Sequence, residues 1–274
     1  CGLGVDTPAS QSEKYLTTAR TILDHFVKKS SPADRISVWV ANTPKATRNL
    51  TGGLRDTANK ENYTAALNSL KTEYPSGAVD LKNAIEQALR DFDGKISRQQ
   101  IIVYIGDAES AFEPLSEKDR YLLANKVRES KVQFFAVPLG VQINGLNMHS
   151  LVTGTGGAVV RFSDDINNQI KASEFVASNL FDAFNVPVLI PTKLNLNTLR
   201  SDAPTLVLGR FVKGKVPAKI EGTITGRIGS IEAQVSVSEV VPTAEAGNFM
   251  LATMVRQWSE SNLKEAPSIL RADR

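Results

Sequence analysis

Short apolar runs alternate with amphipathic stretches along the first 180 residues of the chain. Five apolar runs have the length and composition of buried strands: Gly2–Val5, Arg35–Ala41, Gln100–Ile105, Val132–Val137 and Ala158–Phe162. Five stretches with apolar residues at helical spacing predict helices: Tyr15–Val27, Glu61–Lys71, Asp80–Asp91, Ser116–Glu129 and Asp164–Asn179. This alternation predicts an α/β fold with a doubly wound, mostly parallel, Rossmann-like sheet covered by helices on both faces.

The pattern changes after Pro187 and Pro191. Runs rich in Val, Ile and Thr follow, separated by glycines and without an intervening helical stretch, at 206–212, 218–225 and 228–238. They predict a smaller antiparallel β unit, which a terminal amphipathic helix over about 244–259 completes. The expected domains are therefore 1–180 and 188–274. Within the first domain, Ala46–Leu50 is expected to add an antiparallel edge strand.

Composition narrows the functional classes. The chain is 42% hydrophobic and 22% charged, as folded globular proteins are. Its 32 basic and 29 acidic residues leave a net charge of +3, and the basic residues are dispersed, so neither nucleic-acid nor membrane-surface binding is indicated. No run is long and apolar enough to span a bilayer. Because the chain starts at Cys1, without Met and inside a predicted strand, we expect further sequence upstream.

Polar residues that follow the predicted strands are the candidates for chemistry, because ligands of open α/β sheets bind beyond the carboxyl ends of the strands. Asp6 and Ser10 follow the first strand in the segment DTPAS, and Asp107 follows the central strand in GDAES. Between them, the segment SGAVDL places Val79 just before a predicted helix. We expect these three loops to meet at one edge of the sheet.

The order and spacing of these loops resemble the von Willebrand factor A-type (vWA) domain over about residues 1–180. That family carries a metal-ion-dependent adhesion site built from a D-x-S-x-S loop, a threonine in a later loop and an aspartate after the fourth strand. The resemblance assigns Asp6, Ser10 and Asp107 as metal ligands. Where the family has its middle serine and its threonine, this chain has Pro8 and Val79.

These two departures predict a degenerate site, because proline and valine side chains offer no oxygen to a hard cation. Asp6, Ser10 and Asp107 are expected to hold Mg²⁺ weakly or not at all. The alternative is that the two aspartates bond only to loop amides and water. If a metal binds, the resemblance implies that an acidic side chain of a partner protein completes its coordination.

An enzymatic function has weaker support in the sequence. A dinucleotide-binding G-x-G-x-x-G loop is absent after the first strand, and the chain contains no P-loop. The glycines of VTGTGG (152–157) predict a turn into the last strand rather than a phosphate cradle. The remaining alternative is a Mg²⁺-dependent hydrolase using Asp6 and Asp107, although Pro8 stands where such enzymes usually place a general acid. His25 and His149 are expected to be surface or packing residues.

The sequence therefore predicts a non-catalytic protein-interaction or assembly module. The resemblance implies adhesion through the loop face, and the β-rich unit would serve as a spacer or second contact, as in multidomain bacterial vWA proteins. That comparison favours export to the periplasm or cell surface over a cytoplasmic location.

Overall fold

The computed structural model describes residues 1–7, 13–74, 76–92, 98–162, 168–192, 198–205, 215–229, 231–242, 247 and 253. The chain divides into two compact units, the first formed chiefly by Cys1–Val186 and the second by Pro187–Ala272. The domains 1–180 and 188–274 stay a prediction. Within the described ranges, no helix combines the length and apolar character that crossing a bilayer requires.

A six-stranded sheet forms the centre of the first unit. Its strands are β1 (Gly2–Asp6), β2 (Arg35–Ala41), β3 (Arg48–Asn49), β4 (Arg55–Asp56), β5 (Gln100–Gly106) and β6 (Val132–Pro138). Strands β2, β1, β5 and β6 are parallel neighbours in that order, whereas β3 and β4 pair antiparallel with β2. The mostly parallel α/β fold and the antiparallel edge strand within 46–50 are thereby confirmed.

Within the described residues, six helices accompany this sheet: α1 (Glu13–Lys29), α2 (Lys60–Thr72), α3 (Leu81–Ala88, extended by a 3-10 turn over Leu89–Asp91), α4 (Glu117–Glu129), α5 (Gly145–Thr155) and α6 (Gln169–Phe184). Helices α2 to α6 each begin after a residue whose side-chain oxygen accepts a hydrogen bond from a backbone N–H of the first turn, namely Asn59, Asp80, Ser116, Asn144 and Asn168. Such caps satisfy donors that a helix start leaves without a partner.

Successive side chains of each central strand enter two different hydrophobic cores. In β5, Ile101, Val103 and Ile105 pack with α1, α2 and α6, whereas Ile102 and Tyr104 pack with α3, α4 and α5. This division follows from the two-residue period of a strand. The sheet is therefore covered on both faces, as the predominantly apolar runs predict.

Two predictions in the last part of this unit were wrong. The glycines of 152–157 were expected to form a turn, but residues 145–155 form helix α5, which Gly156 ends in the left-handed conformation at φ 85°. The predicted strand 158–162 is reduced to one parallel bridge between Ala136 and Val159. Two glycines, two threonines and the burial of polar residues such as Asn147 and Ser150 obscured the helical period. Helix α6 also continues five residues past the predicted end at Asn179.

The second unit contains a four-stranded antiparallel sheet, in the order β10-β9-β7-β8. Its strands are β7 (Val188–Pro191), β8 (Leu199–Arg200), β9 (Lys219–Ile228) and β10 (Ile231–Val240). The antiparallel character and the strands near 218–225 and 228–238 are confirmed, whereas β7 and β8 were missed. The predicted strand at 206–212 and the terminal helix over 244–259 lie outside the described residues.

Candidate functional site

The loops that follow β1, α2, β5 and β6 meet at the carboxyl edge of the parallel strands. Backbone hydrogen bonds join them in pairs: Ser76 N to Thr7 O at 3.2 Å, Phe112 N to Val79 O at 3.0 Å, and Asn144 N to Asp107 O at 2.8 Å. The expected convergence of the loops carrying Asp6, Val79 and Asp107 is therefore observed. Ser10 and Pro8 lie outside the described residues.

Asp6 and Tyr104 form a buried hydrogen bond at the base of these loops. The Tyr104 hydroxyl donates to Oδ2 of Asp6 at 2.7 Å, across 98 residues of sequence. Asp6 and Asp107 are each only 2% exposed, and Tyr104 is 3% exposed. The other carboxylate oxygen of Asp6, Oδ1, is also buried, and no donor within the described ranges hydrogen-bonds to it. A buried carboxylate oxygen that accepts no hydrogen bond lowers the stability of the folded protein unless another interaction compensates for its lost hydration.

The loop after β5 is held in an unusual conformation beside this pair. Ala108 has a φ of 57°, in the left-handed region that residues with a Cβ seldom adopt. Its N–H donates to the Tyr104 hydroxyl at 3.2 Å, and its carbonyl accepts from Nδ2 of Asn147 at 2.9 Å. Oδ1 of Asp107 accepts from the N–H of Glu109 at 2.9 Å. Tyr104 therefore connects the loop after β1 with the loop after β5.

Burial dominates the electrostatics of the cluster. It raises the pKa of Asp6 well above the ordinary value, and the neighbouring Asp107 carboxylate raises it further, whereas the hydrogen bond from Tyr104 acts in the opposite direction. Burial is also the main cause that raises the pKa of Tyr104 well above its ordinary value, followed by the charges of Asp6 and Asp107. The phenol consequently remains protonated at neutral pH and can donate to Asp6.

Two glycines shape the space for this cluster. Gly4 is the register partner of Tyr104 across β1 and β5, and a Cβ at Gly4 would lie 3.9 Å from the tyrosine ring, so the ring packs directly over the β1 backbone. A Cβ at Gly106 would lie 2.3 Å from Cβ of Asp6 and 2.8 Å from the Tyr104 hydroxyl oxygen. Only glycine at position 106 lets Asp6 and Tyr104 approach each other.

The described residues do not fit a tightly held Mg²⁺, which requires about six oxygens near 2.0–2.1 Å. Val79 is fully buried in the apolar core, and its side chain has no oxygen. The nearby hydroxyls are engaged elsewhere, Thr7 with the carbonyl of Ala41 at 3.3 Å and Ser110 with the carbonyl of Glu113 at 2.7 Å. Within the described part of the chain, no three His, Cys, Asp or Glu side chains are grouped to hold a metal.

Large apolar side chains are exposed on the same loops and at their flanks. Tyr74 is 81% exposed, Phe112 53%, Val141 77% and Leu146 62%, and we call these four residues the apolar rim. Tyr74 precedes the loop that bonds to Thr7, Phe112 lies in the loop after β5, and Val141 and Leu146 lie between β6 and the first turn of α5.

Sequence reasoning missed Tyr104 and the apolar rim. A signal for Tyr104 was present, because one tyrosine interrupts an aliphatic run two residues before Gly106-Asp107, and Gly4 stands two residues before Asp6. On paired parallel strands these positions face the same side of the sheet. The apolar rim could not be recognised from the sequence, because the sequence around an apolar loop residue does not show whether its side chain is buried or exposed.

Comparisons with known proteins agree with this architecture. The model of the von Willebrand factor type A domain family matches residues 3–160. No curated protein is significantly similar to the chain in sequence.

Solved structures with the same fold include three bacterial proteins. A von Willebrand factor type A protein from Catenulispora acidiphila aligns with a TM-score of 0.60 at 11% identity, over 87% of this chain and 65% of that one. An aerotolerance-related membrane protein from Bacteroides fragilis aligns at 0.52 and 15% identity, over 67% and 97%. The pilus adhesin SpaC from Lactobacillus rhamnosus GG aligns at 0.52 and 11% identity, over 87% and 36%.

At these identities the structural matches establish the fold alone, whereas the family model covers more than half of the chain. Together with the parallel sheet and the converging loops after β1, α2 and β5, that match identifies the chain as a member of the von Willebrand factor type A domain family.

Proposed function

We propose that this protein is a non-catalytic interaction or assembly module whose loop face binds a partner protein without needing a tightly bound metal. The observation that carries the proposal is the apolar rim on the loops that also carry the buried aspartates, where the described residues group no three His, Cys, Asp or Glu side chains. A face of this kind derives its binding free energy from burial of apolar side chains. It does not depend on a cation that joins the two proteins.

The partner's chemistry follows from the rim. Tyr74 and Phe112 offer aromatic surface, and Val141 and Leu146 offer aliphatic surface, so a partner with an apolar patch of similar size is favoured. Coordination of a bound metal by an acidic side chain of the partner stays a secondary prediction, because it requires a bound cation. Export also stays a prediction. The membrane protein and the pilus adhesin that share this fold are consistent with it.

Loss of the rim should release the partner while leaving the fold intact. We expect the double variant Phe112→Ser/Val141→Ser to bind the protein that co-purifies from the native source at least about tenfold more weakly, since central apolar contacts contribute most of the affinity of an interface. The matched control is Leu122→Ser on α4, because Leu122 is 51% exposed, like Phe112, but lies outside the loops. Equal retention of the partner by both variants would contradict the proposed interface.

A second prediction separates weak cation binding from catalysis. With millimolar Mg²⁺ or Mn²⁺ we expect at most a small rise in melting temperature that Asp107→Ala removes, and no turnover of generic phosphate esters. Glu113→Ala is the control, because Glu113 is an exposed carboxylate in the same loop. Turnover that disappears in Asp6→Asn would instead support the hydrolase alternative and overturn the non-catalytic proposal.

A further inference from the structure

Tyr104 is placed by the strand register so that its hydroxyl reaches the base of the loop face. It lies opposite Gly4 in the pairing of β1 and β5, and its ring packs over the β1 backbone at that position. Successive residues of a strand point to opposite faces, so Tyr104 and Asp6 project to the same side of the sheet. The ring then extends toward the carboxyl end of the strands, where its hydroxyl meets Asp6.

The Tyr104 hydroxyl acts both as a hydrogen-bond donor and as an acceptor. It donates to Oδ2 of Asp6 at 2.7 Å and accepts from the N–H of Ala108 at 3.2 Å. These two bonds join the loop after β1 to the loop after β5, and they support the left-handed conformation of Ala108. Val79, buried in the same apolar core as Tyr104 and Ala108, contributes no hydroxyl to this network.

We propose that Tyr104 is the positioning residue that takes over the role of a cation at this site. Its hydroxyl occupies one oxygen of Asp6, joins the two loops without a metal and thereby keeps the affinity for divalent cations low. This inference rests on the proposed metal-independent interaction face, and it names the hydrogen bonds of Tyr104 as the reason that the face needs no metal. A hydrogen bond to a buried carboxylate is among the stronger ones in proteins, so a cation would have to displace or tolerate it.

The direct test is Tyr104→Phe, measured with Mn²⁺ alone as the probe. We expect the variant to be less stable than the parent in the presence of a chelator, because a buried carboxylate loses its donor. We expect its Mn²⁺ affinity, measured by calorimetry and by the paramagnetic resonance of bound Mn²⁺, to rise about tenfold, because both oxygens of Asp6 become available. Unchanged or weaker Mn²⁺ binding would overturn the proposal.

The matched control is Tyr63→Phe. Tyr63 is also a buried tyrosine whose hydroxyl donates to backbone carbonyls, those of Ile36 and Arg55, but away from the loops. Its loss should lower stability without changing Mn²⁺ affinity. In the Tyr104→Phe background, adding Asp6→Asn should abolish the gain in Mn²⁺ binding. A gain that survives this second substitution would place the cation elsewhere and would contradict the proposal.

A second variant keeps the test decisive if Tyr104→Phe does not fold. Val79→Thr leaves the side chain nearly the same size and introduces a hydroxyl into the same buried core. With Tyr104 still bonded to Asp6, we expect Mn²⁺ affinity to stay within about threefold of the parent, whereas a tenfold gain from Val79→Thr alone would show that Tyr104 does not limit binding. These outcomes are independent of the rim variants, so failure of this inference and failure of the proposed interface are distinguishable.

Discussion

Replacing Gly106 by alanine is expected to destabilise the protein by about 3 kcal/mol, the upper range for overpacking a buried site. The new Cβ would lie 2.3 Å from Cβ of Asp6, an atom fixed to the β1 backbone that cannot rotate away. It would also lie 2.7 Å from Oδ2 of Asp6 and 2.8 Å from the Tyr104 hydroxyl oxygen. Relief requires β1 and β5 to separate, and that movement breaks the Asp6–Tyr104 hydrogen bond.

Urea denaturation of Gly106→Ala and of Gly145→Ala measures this effect against a matched substitution. Gly145 opens α5, and a Cβ there would meet only the ring of His149 at 3.8 Å, an ordinary contact. We expect that control to stay within about 0.5 kcal/mol of the parent, because alanine is also the better helix former. A decrease in the free energy of unfolding of less than about 1 kcal/mol for Gly106→Ala would contradict the close packing of Asp6, Gly106 and Tyr104.

Asp6→Asn is expected to stabilise the cation-free protein at neutral pH by about 1 to 3 kcal/mol, the usual cost of an inadequately compensated buried polar group. Asp6 is buried, and the Asp107 charge lies close by, so ionisation of Asp6 opposes folding. Asparagine has nearly the same shape, and its carbonyl oxygen can still accept the hydrogen bond from Tyr104. The measurement is thermal or urea unfolding in the presence of a chelator.

The pH dependence has a definite sign. Because the pKa of Asp6 is higher in the folded than in the unfolded protein, the folded state binds more protons between the two values. The contribution of Asp6 to the free energy of unfolding is therefore most favourable at low pH, and it falls as the pH rises through the pKa of Asp6 in the folded protein. The advantage of Asp6→Asn should be small near pH 4 and should grow toward neutral pH. Asp182→Asn, at an exposed position of α6, should show no such growth. An advantage independent of pH would contradict the explanation.

Much of the fold could be predicted from the sequence because its signals are local. The runs 100–105 and 132–137 are predominantly apolar, and strands of that type are buried on both faces of a parallel sheet. The same signals failed for α5, where Gly145, Gly154 and two threonines weaken the helical pattern, and burial of most of the helix by its neighbours removes the polar face. Tertiary packing overrode propensity there.

The candidate site was predictable only in part. Asp6, Val79 and Asp107 could be expected at one edge because parallel strands bring their carboxyl ends together, and the structure does bring their loops together. The assignment of Asp6, Ser10 and Asp107 as metal ligands stays a prediction. The role of Tyr104 could not be derived from its position in an apolar run, since that pattern predicts burial and does not identify the partner of a buried hydroxyl.

Periodicity and residue type are local properties, so the amino-acid sequence was sufficient to establish most of the strands and helices, the order of the loops and the chemical identity of the side chains they carry. The position of Tyr104 opposite Gly4, the contact of its hydroxyl with Asp6, and the exposure of Phe112 and Val141 became known from the three-dimensional arrangement. The reason is that strand register and burial join residues far apart in the chain, and local sequence does not specify either.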